Sequence, residues 1–249
     1  MVQYKPPQFL PTEEDLPDND DTPVDNELHV LMPNLLRALL VLNWADRTDW
    51  FLGINMGLYY DPEKPAIIPD GFLSLGIPRF RASGKLRLSY LIWQENILPK
   101  WVLEIVSQTP GGEYTDKMSK YAAIGILYYT IYNPDYGQRD KHDSFEVYRL
   151  ANDRYVRQLG NPVWMPEIGL GIGSEQGTHE GCAREWLYWY NQQGDRFPAP
   201  ENLIAQERQR AEAAEQQLEQ ERRLLEQERR LREELLERLR QRGINPEAL

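Results

Sequence analysis

Glu104 is the residue of this sequence whose surroundings point most directly to chemistry. It lies inside the apolar run WVLEIV at residues 101–106. Alternate residues of a strand share a face, so the pattern places Glu104 between Val102 and Val106 on one face. A buried carboxylate costs free energy unless it is paired or binds a cation. The run therefore predicts either an ion pair with a nearby arginine or a metal ligand.

Asp70 is a second carboxylate, at a point where a strand must be interrupted. It belongs to IIPDG at residues 67–71, in which two β-branched residues lead into Pro69. Proline cannot donate to a β ladder, which indicates an edge, a bulge or a bend. A bend would direct the Asp70 carboxylate out of the sheet, whereas the alternative is an ordinary Pro-Asp-Gly turn.

Lys117 is a basic residue that follows these two acids along the chain. The segment TDKMSKYAAIG at residues 115–125 has helical spacing, with Thr115 as its N-cap and Gly125 as its stop. A lysine in the first turn opposes the positive end of the helix dipole. This position favours another role for Lys117, and the alternative is a solvated lysine.

Together the three side chains predict metal-dependent hydrolysis of phosphodiester bonds. Two carboxylates on neighbouring strands can hold a hard divalent cation, which prefers oxygen ligands. A bound Mg²⁺ polarises a phosphate oxygen and lowers the pKa of bound water. A lysine beside it can orient that water or stabilise developing negative charge. We therefore expect Mg²⁺ as the cofactor, and Asp70, Glu104 and Lys117 as the catalytic group.

The same residues resemble a known family. The segments IIPDGFLSLG, VLEIVSQT and DKMSKYAAIGILYYTIYNP are similar to the Uma family of restriction endonucleases, within the PD-(D/E)XK nuclease superfamily. DNELHVLMP before them, and FEVYRL and PEIGLGIG after them, extend the resemblance over about residues 25–195. The resemblance implies a restriction-endonuclease-like α/β fold, with a mixed central sheet flanked by helices. It also implies Mg²⁺-dependent endonuclease activity on DNA.

The resemblance carries metal-ligand roles onto particular positions of this sequence. Asp70 matches the Pro-Asp ligand, and Glu104 matches the second acidic ligand. The backbone carbonyl of Ile105 is expected as a third contact. Glu27 matches an acid near the first helix, which is expected to support the metal from a more distant position.

The resemblance also indicates where the catalytic lysine lies. The superfamily lysine that usually follows the glutamate by two residues is replaced here by Val106. Members of the family take their lysine from the next helix, which implies Lys117, with Lys120 as the second candidate. The family also has a histidine in its first helix. Residues 34–44 contain no histidine, and we expect the earlier His29 not to replace it.

The charge balance limits the kind of nucleic-acid contact. Lys plus Arg is 28 and Asp plus Glu is 39, giving a net charge of −11. A generally basic protein that coats nucleic acid is excluded by that sign. The segment PRFRASGKLRL is the exception, and it is either a loop that contacts the DNA backbone or an ordinary solvated loop. Its four cations are Arg79, Arg81, Lys85 and Arg87.

Composition also bounds the cellular setting. The single cysteine, Cys182, excludes a disulfide framework and a multi-cysteine zinc site. No apolar run reaches the roughly 20 residues of a membrane helix. The proline-rich, acidic N-terminus is unlike a signal peptide. We therefore expect a cytoplasmic protein without a membrane partner.

The elements expected to position the candidate residues alternate between helix and strand, which predicts a mixed α/β core. A helix is predicted at 28–44 and a second at 115–125, and residues 145–150 and 155–160 are predicted to form a hairpin. A last helix is predicted at 184–194. Further strands are predicted at 50–60, 66–76, 86–93, 101–107 and 126–134.

The C-terminal part differs from the rest of the chain. Residues 201–249 contain no aromatic residue and repeat EQERRLL as EQERRLR. Leucines recurring every seven residues predict a coiled coil that joins copies of the chain; the alternative is a single solvated helix. The expected domains are an extended arm at 1–24, an endonuclease-like domain at 25–200 and this helix. A second function therefore stays open, a catalytically inactive nuclease fold that assembles through its tail.

Overall fold

The computed structural model describes residues 10–16, 26–81 and 84–242. Most of the predicted arm, and the chain from Gly243 onwards, lie outside the described residues. The chain divides into two compact units, one ending at Pro198 and the other beginning at Ala199. The elements are α1 (Leu28–Asn43), β1 (Trp50–Ile54), β2 (Leu58–Tyr59), β3 (Gly71–Leu75), β4 (Tyr90–Leu91), α2 (Ile92–Glu95), β5 (Trp101–Ile105), α3 (Asp116–Ile124), β6 (Tyr128–Tyr132), α4 (Gly137–Asp140), β7 (Phe145–Ala151), β8 (Arg154–Gln158), β9 (Val163–Met165), β10 (Leu170–His179), β11 (Cys182–Tyr190) and α5 (Pro200–Gln241).

A six-stranded mixed sheet forms the centre of the first unit. Its strand order is β1-β3-β5-β6-β7-β8. Only β5 and β6 are parallel, and they are connected through α3; the other neighbours are antiparallel. A parallel pair needs such a crossover, whereas β7 and β8 are joined by a tight hairpin. The architecture confirms the predicted mixed α/β fold with helices and a long C-terminal helix.

Strand β5 is buried along its whole length, and its two faces meet different partners. On one face, Val102 belongs to an apolar cluster with Tyr121 of α3 and Tyr129 of β6. On the other face, Trp101 packs edge-on against Trp189 of β11, with ring centroids 4.9 Å apart. Glu104 lies on the face of Val102, as strand alternation predicts. The sheet therefore delivers this carboxylate to the face that α3 covers.

Helix α1, which confirms the helix predicted at 28–44, covers part of this core with a row of leucines. Leu36, Leu39 and Leu40 are fully buried. The backbone carbonyl of Leu36 accepts a hydrogen bond of 2.9 Å from the indole of Trp189. This contact holds α1 against β11. His29 lies in the first turn of the same helix.

The predicted helix at 184–194 is wrong, because these residues belong to strand β11. The strand pairs with β10 in an antiparallel ladder from His179↔Cys182 to Gly171↔Tyr190. Five successive apolar residues, 186–190, are all buried. Their burial therefore shows neither the two-residue period of a half-exposed strand nor the 3.6-residue period of a helix. Aromatic residues favour strands, and the ladder satisfies the backbone. The aromatic side chains at 186 and 188–190 are part of the core.

Two other strand predictions are only partly correct. Residues 50–60 form two strands rather than one, interrupted at Asn55, which has a left-handed φ of 44°. Residues 86–93 contribute only β4 and the start of α2. There the burial is the reverse of the apolar pattern, because Arg87 is buried while Leu86 and Leu88 are exposed.

The C-terminal unit contains the single long helix α5. Three i,i+4 ion pairs form along it: Glu219–Arg223 at 2.9 Å, Glu226–Arg230 at 2.6 Å and Glu234–Arg238 at 2.5 Å. Each exposed pair contributes only a few tenths of a kcal/mol, about 0.3–0.5 kcal/mol. None of the helices in the described residues is long and apolar enough to cross a bilayer.

Candidate active site

Asp70 and Glu104 lie side by side on neighbouring strands. In the antiparallel pairing of β3 with β5, Gly71 is opposite Leu103. One step further along the same register brings Asp70 opposite Glu104. Both residues are buried, with 8% and 1% of their surfaces exposed. Asp70 therefore places a second carboxylate beside the first, but it lies against the backbone of β5 and is not directed out of the sheet.

Each oxygen of the Asp70 carboxylate has a partner. Oδ2 accepts a hydrogen bond of 2.7 Å from the backbone N–H of Ile105, at the end of β5. Oδ1 lies 2.8 Å from Nδ1 of His29. The bond to Ile105 takes the place of a ladder bond, because β3 begins only at Gly71. On the side that faces β5, Asp70 thus continues the sheet with its side chain rather than with its backbone.

His29, which is expected not to replace the family's first-helix histidine, nevertheless lies in the site. His29 lies in the first turn of α1, is buried and contacts Asp70 directly. Pro33 has no N–H to donate to the carbonyl of His29 four residues earlier. The side-chain amide of Asn55 approaches that carbonyl at 3.5 Å, and the Asn55 N–H donates to the Asp70 carbonyl at 3.3 Å. Asn55 is a site residue that sequence reasoning missed; the only signal was Pro33.

The two oxygens of Glu104 bind different residues of α3. Oε2 accepts a hydrogen bond of 2.8 Å from Nζ of Lys117, and Oε1 accepts one of 2.5 Å from the hydroxyl of Tyr121. The pKa of Glu104 is raised to about 7, mainly by burial. The charge of Lys117 acts to lower this pKa, and the neighbouring Asp70 charge acts in the same direction as burial, to raise it.

Lys117, rather than Lys120, is the lysine of the site. Burial acts to lower the pKa of Lys117, but the nearby Glu104 carboxylate outweighs it and the pKa is raised. Lys117 is therefore a permanent cation at neutral pH. Lys120 is exposed on another part of α3 and lines a different surface depression with Tyr60 and Lys64. Gly125 ends the helix with a φ of 92°, as predicted.

Tyr121 completes the contact between α3 and Glu104. It is fully buried, and burial followed by the Glu104 charge raises its pKa well above the ordinary value. The phenol is therefore protonated and can only donate to Glu104 Oε1. Residues Lys117 and Tyr121 are four apart, which places both on one face of the helix.

The raised pKa of Glu104 predicts a pH-dependent stability of the metal-free protein. The folded state holds this proton up to a pH of about 7, whereas the ordinary pKa is 4.5. The contribution is therefore fully present below the ordinary pKa and is lost as the pH rises through about 7. Urea unfolding across this range should show wild type losing stability relative to Glu104→Gln. A constant difference between the two proteins would contradict the raised pKa.

Glu27 is not brought into this group by a side-chain contact. It lies at the N-terminal boundary of α1 and is exposed. Its backbone carbonyl accepts hydrogen bonds from Val30 and Leu31. Within the described part of the chain its carboxylate makes no hydrogen bond or ion pair. A supporting role for Glu27 would require another side-chain conformation.

Two cations of the basic segment are part of a buried ion-pair network. Arg81 pairs with Glu13, which lies in the described N-terminal piece and is 6% exposed. Arg87 is 9% exposed and donates to both carboxylate oxygens of Glu95, at 2.7 and 3.3 Å. Their charges are matched within the chain, which disfavours a DNA-contacting role for these two residues.

The other two cations are more accessible. Lys85 is largely exposed and pairs with Glu14 at 3.3 Å. The Arg79 guanidinium lies 5.5 Å from the ring centre of Phe51 and 5.1 Å from that of Phe80. Among the described residues Arg79 has no carboxylate partner. Within residues 10–16, 26–81 and 84–242, Arg79 is thus the one of the four cations that has no acidic partner.

The donor set fits a divalent cation only in part. No cluster of three or more histidine, cysteine, aspartate or glutamate side chains that could hold a metal occurs in residues 10–16, 26–81 and 84–242. Asp70 and Glu104 supply two carboxylates, and each of their oxygens keeps a lone pair beyond the hydrogen bond described. A cation there would complete its shell with backbone, water or substrate oxygens, as Mg²⁺ usually does.

Comparisons with known proteins identify a family for this chain. Residues 21–175, more than half of the 249, match the Uma2 family, described as "Putative restriction endonuclease". A crystal structure described as a putative nuclease belonging to DUF820, from Anabaena variabilis ATCC 29413, has 15% identity and a TM-score of 0.44. The similarity covers 63% of this chain and 89% of that chain. No curated protein matches the sequence. The family match includes Asp70, Glu104 and Lys117.

Proposed function

The chain belongs to the Uma2 family, whose description is "Putative restriction endonuclease", and we propose that it is a Mg²⁺-dependent endonuclease that hydrolyses DNA phosphodiester bonds. The observation that carries the proposal is the paired carboxylates of Asp70 and Glu104, with the Lys117 ammonium 2.8 Å from Glu104. Buried carboxylates this close repel each other, which favours a cation between them. Two buried carboxylates next to each other lower the stability of the fold, whereas a cation held between them can act on a phosphate group.

Asp70, Glu104 and the Ile105 carbonyl are the groups that would hold the cation. Val106 donates its N–H to Tyr132 of β6. Backbone groups alternate in direction along a strand, so those of Ile105 lie on the opposite edge, where its N–H meets Asp70 Oδ2. An all-oxygen set of this kind suits Mg²⁺. When bound, Mg²⁺ supplies Lewis-acid polarisation of a phosphate oxygen and activation of water.

The neighbouring residues have roles that follow from their protonation. Lys117 is held as a cation by Glu104, so it stabilises negative charge on phosphate rather than accepting a proton. Tyr121 keeps Oε1 of Glu104 fixed by donating to it. His29 and the Ile105 N–H hold the two oxygens of Asp70 in one orientation. The chain thus orients both carboxylates before any substrate is bound.

Cleavage of plasmid DNA by the purified full-length chain tests this function. The proposal predicts nicked or linear DNA with Mg²⁺ and none with a chelator. Supercoiled, relaxed, single-stranded and methylated DNA should be compared, because selectivity is expected of an acidic protein. Intact DNA in all of these conditions would favour the second function, an inactive nuclease fold that assembles through α5.

We propose that Arg79 contacts the substrate DNA. It lines a groove of about 610 Å³ together with Trp44 and Phe80. Burial is the main cause that lowers the pKa of Arg79, and the charges of Arg37 and Arg87 lower it further. Several guanidinium groups therefore lie close together there. Phosphates neutralise such groups, and exposed aromatic rings can stack on bases.

Arg79→Ala should weaken DNA binding without destabilising the protein. One phosphate contact fewer should reduce the slope of log affinity against log salt by about 1. Fluorescence anisotropy at several salt concentrations measures this slope. Arg154→Ala, which removes an exposed arginine from β8, is the matched control and should change nothing. Equal slopes for the Arg79 variant and the control would remove Arg79 from the interface.

We further propose that α5 pairs with α5 of a second copy. Leu218 and Leu225 are seven residues apart and are 51% and 57% exposed; Leu224 and Leu231, which are 66% and 58% exposed, form a parallel row. The rows recur with the heptad period, which supports a coiled coil. Ile204 and Leu235 of this helix are also more than half exposed, and the residues between the leucines are mostly Glu, Gln and Arg. Self-pairing therefore offers the leucines burial that their own helix does not.

Replacing two leucines of one row should dissociate the assembly. Leu218→Gln together with Leu225→Gln removes two knobs, and each buried leucine is worth about 1.5–3 kcal/mol. Light scattering on the full chain should report a fall in particle mass. Gln220→Ala with Gln227→Ala has the same spacing and should leave the mass unchanged. A wild type that is already a monomer would contradict the coiled coil.

A further inference from the structure

Glu113 is a third carboxylate close to the candidate site, and no motif pointed to it. It lies just before α3, is 4% exposed, and its Oε1 is 3.6 Å from Nζ of Lys117. Lys117 therefore lies between two buried carboxylates, closer to Glu104 at 2.8 Å than to Glu113. A buried glutamate costs free energy unless its charge is matched, and Lys117 is the cation that matches it.

The chain holds the Glu113 carboxylate firmly in this position. Oε2 accepts a hydrogen bond of 3.0 Å from the backbone N–H of Gly111. A Cβ at residue 111 would lie 2.4 Å from Glu113 Oε1, so only glycine leaves room for the carboxylate. The Glu113 carbonyl accepts a 2.7 Å hydrogen bond from the buried hydroxyl of Tyr129. Both the side chain and the backbone of Glu113 are thus fixed before α3 begins.

The two carboxylates compete for one ammonium group. A lysine has three N–H donors on a flexible stem, and Nζ needs to move by less than an ångström to reach hydrogen-bond distance from Glu113. A divalent cation at Glu104 repels the ammonium from Oε2. Without another acceptor, Lys117 would either stay and oppose the cation or leave the site for solvent.

We propose that Glu113 is a positioning residue that receives Lys117 when Glu104 binds a divalent cation. This inference rests on the proposed function, since it presumes a cation at Glu104. The transfer keeps the ammonium charged and within the site, where it faces the scissile phosphate. In this proposal Glu113 acts on Lys117 and does not itself bind the cation.

The first test needs no metal. Glu104→Gln neutralises the carboxylate, as a bound cation would, and keeps its shape. A crystal structure of this variant should place Nζ of Lys117 about 2.8 Å from Glu113, the length of a charge-assisted hydrogen bond. An ammonium that stays on the side chain at position 104, or turns to solvent, would overturn the inference, whether or not the protein cleaves DNA.

The second test is a double-mutant cycle read by Mg²⁺ calorimetry on the full chain without DNA. Glu113→Gln keeps an acceptor for the Gly111 N–H and removes only the charge. We expect it to weaken Mg²⁺ binding about tenfold in wild type, a coupling of ordinary size for residues in contact. In a Lys117→Met background the same change should have an effect of less than about twofold.

The controls separate this inference from the proposed function. Asp116→Asn removes an equal charge from the first turn of α3 without touching Lys117, and should leave the affinity unchanged. An equal loss of Mg²⁺ affinity in the wild-type and Lys117→Met backgrounds would mean that Glu113 acts only through the electrostatic field of its charge. That result would overturn the proposed movement of Lys117 to Glu113. Absence of Mg²⁺ binding in wild type would instead count against the proposed function, and the Glu104→Gln structure would then decide the inference alone.

Discussion

Asp70→Asn should lower the rate of Mg²⁺-dependent DNA cleavage by about 10³-fold, because a cation ligand contributes several kcal/mol and each 1.36 kcal/mol is tenfold in rate. The amide keeps the shape of the side chain and one acceptor for the Ile105 N–H. The carboxylate charge beside Glu104 is lost, so the cation site is lost with it. A plasmid-nicking assay at saturating Mg²⁺ measures the effect.

Asp61→Asn is the matched control for this change. Asp61 also stands next to a proline in a turn, but it pairs with Lys64 on the surface. Its variant should cleave as wild type does. Circular dichroism of the Asp70 variant should show the wild-type fold. Unchanged cleavage by a correctly folded Asp70→Asn protein would remove Asp70 from the metal site.

Lys117→Met should lower the cleavage rate by about 10²–10³-fold, the usual cost of removing one group that stabilises transition-state charge. The methionine fills the space of the lysine stem without its charge. Glu104 then loses its cationic partner, so its pKa should rise further and the metal-free protein should lose stability near neutral pH. Single-turnover kinetics at saturating DNA isolates the chemical step from binding.

Lys120→Met provides the comparison for Lys117. Both lysines lie on α3, but only Lys117 contacts Glu104, and Lys120 is exposed. We expect the Lys120 variant to keep at least about half of the wild-type rate, as a surface change usually does. If the Lys120 variant is the slower of the two, the catalytic role moves to Lys120.

The sheet and the helices that position the site follow closely from the sequence. The leucines of α1 recur at helical spacing, and the hairpin of β7 and β8 has short strands separated by Asn152 and Asp153, which both adopt positive φ. These local signals are strong because the spacing of the apolar residues and the residue types in the turns indicate the same elements. The segment 184–194 lacks them, since an unbroken aromatic run fits a buried strand as well as a helix.

The site was predictable where a single residue type carries the signal. An acid within an apolar strand, an acid after a proline and a lysine in a first helical turn are each unusual. Asn55 and Glu113 are not, because asparagine and glutamate in loops are ordinary surface residues. Their burial depends on long-range packing, on the freed carbonyl of His29 for Asn55 and on the glycine at 111 for Glu113.

The acidic partners of the basic segment also could not be predicted from the sequence. Its arginines looked available for DNA because sequence spacing carries no information about partners. Glu13, far away in the chain, matches Arg81, and the short helix α2 supplies Glu95 to Arg87. Only the folded chain distinguishes these paired cations from Arg79.

Titration calorimetry with Mg²⁺ is the most direct test of the central claim, that Asp70 and Glu104 together hold a divalent cation. The full chain should be compared with the double variant Asp70→Ala/Glu104→Ala, with DNA absent and then with an uncleaved DNA present to supply phosphate oxygens. We predict a single site in wild type that disappears in the double variant under both conditions. Equal binding by the two proteins, or no binding by wild type even with DNA, would contradict the metal-dependent nuclease.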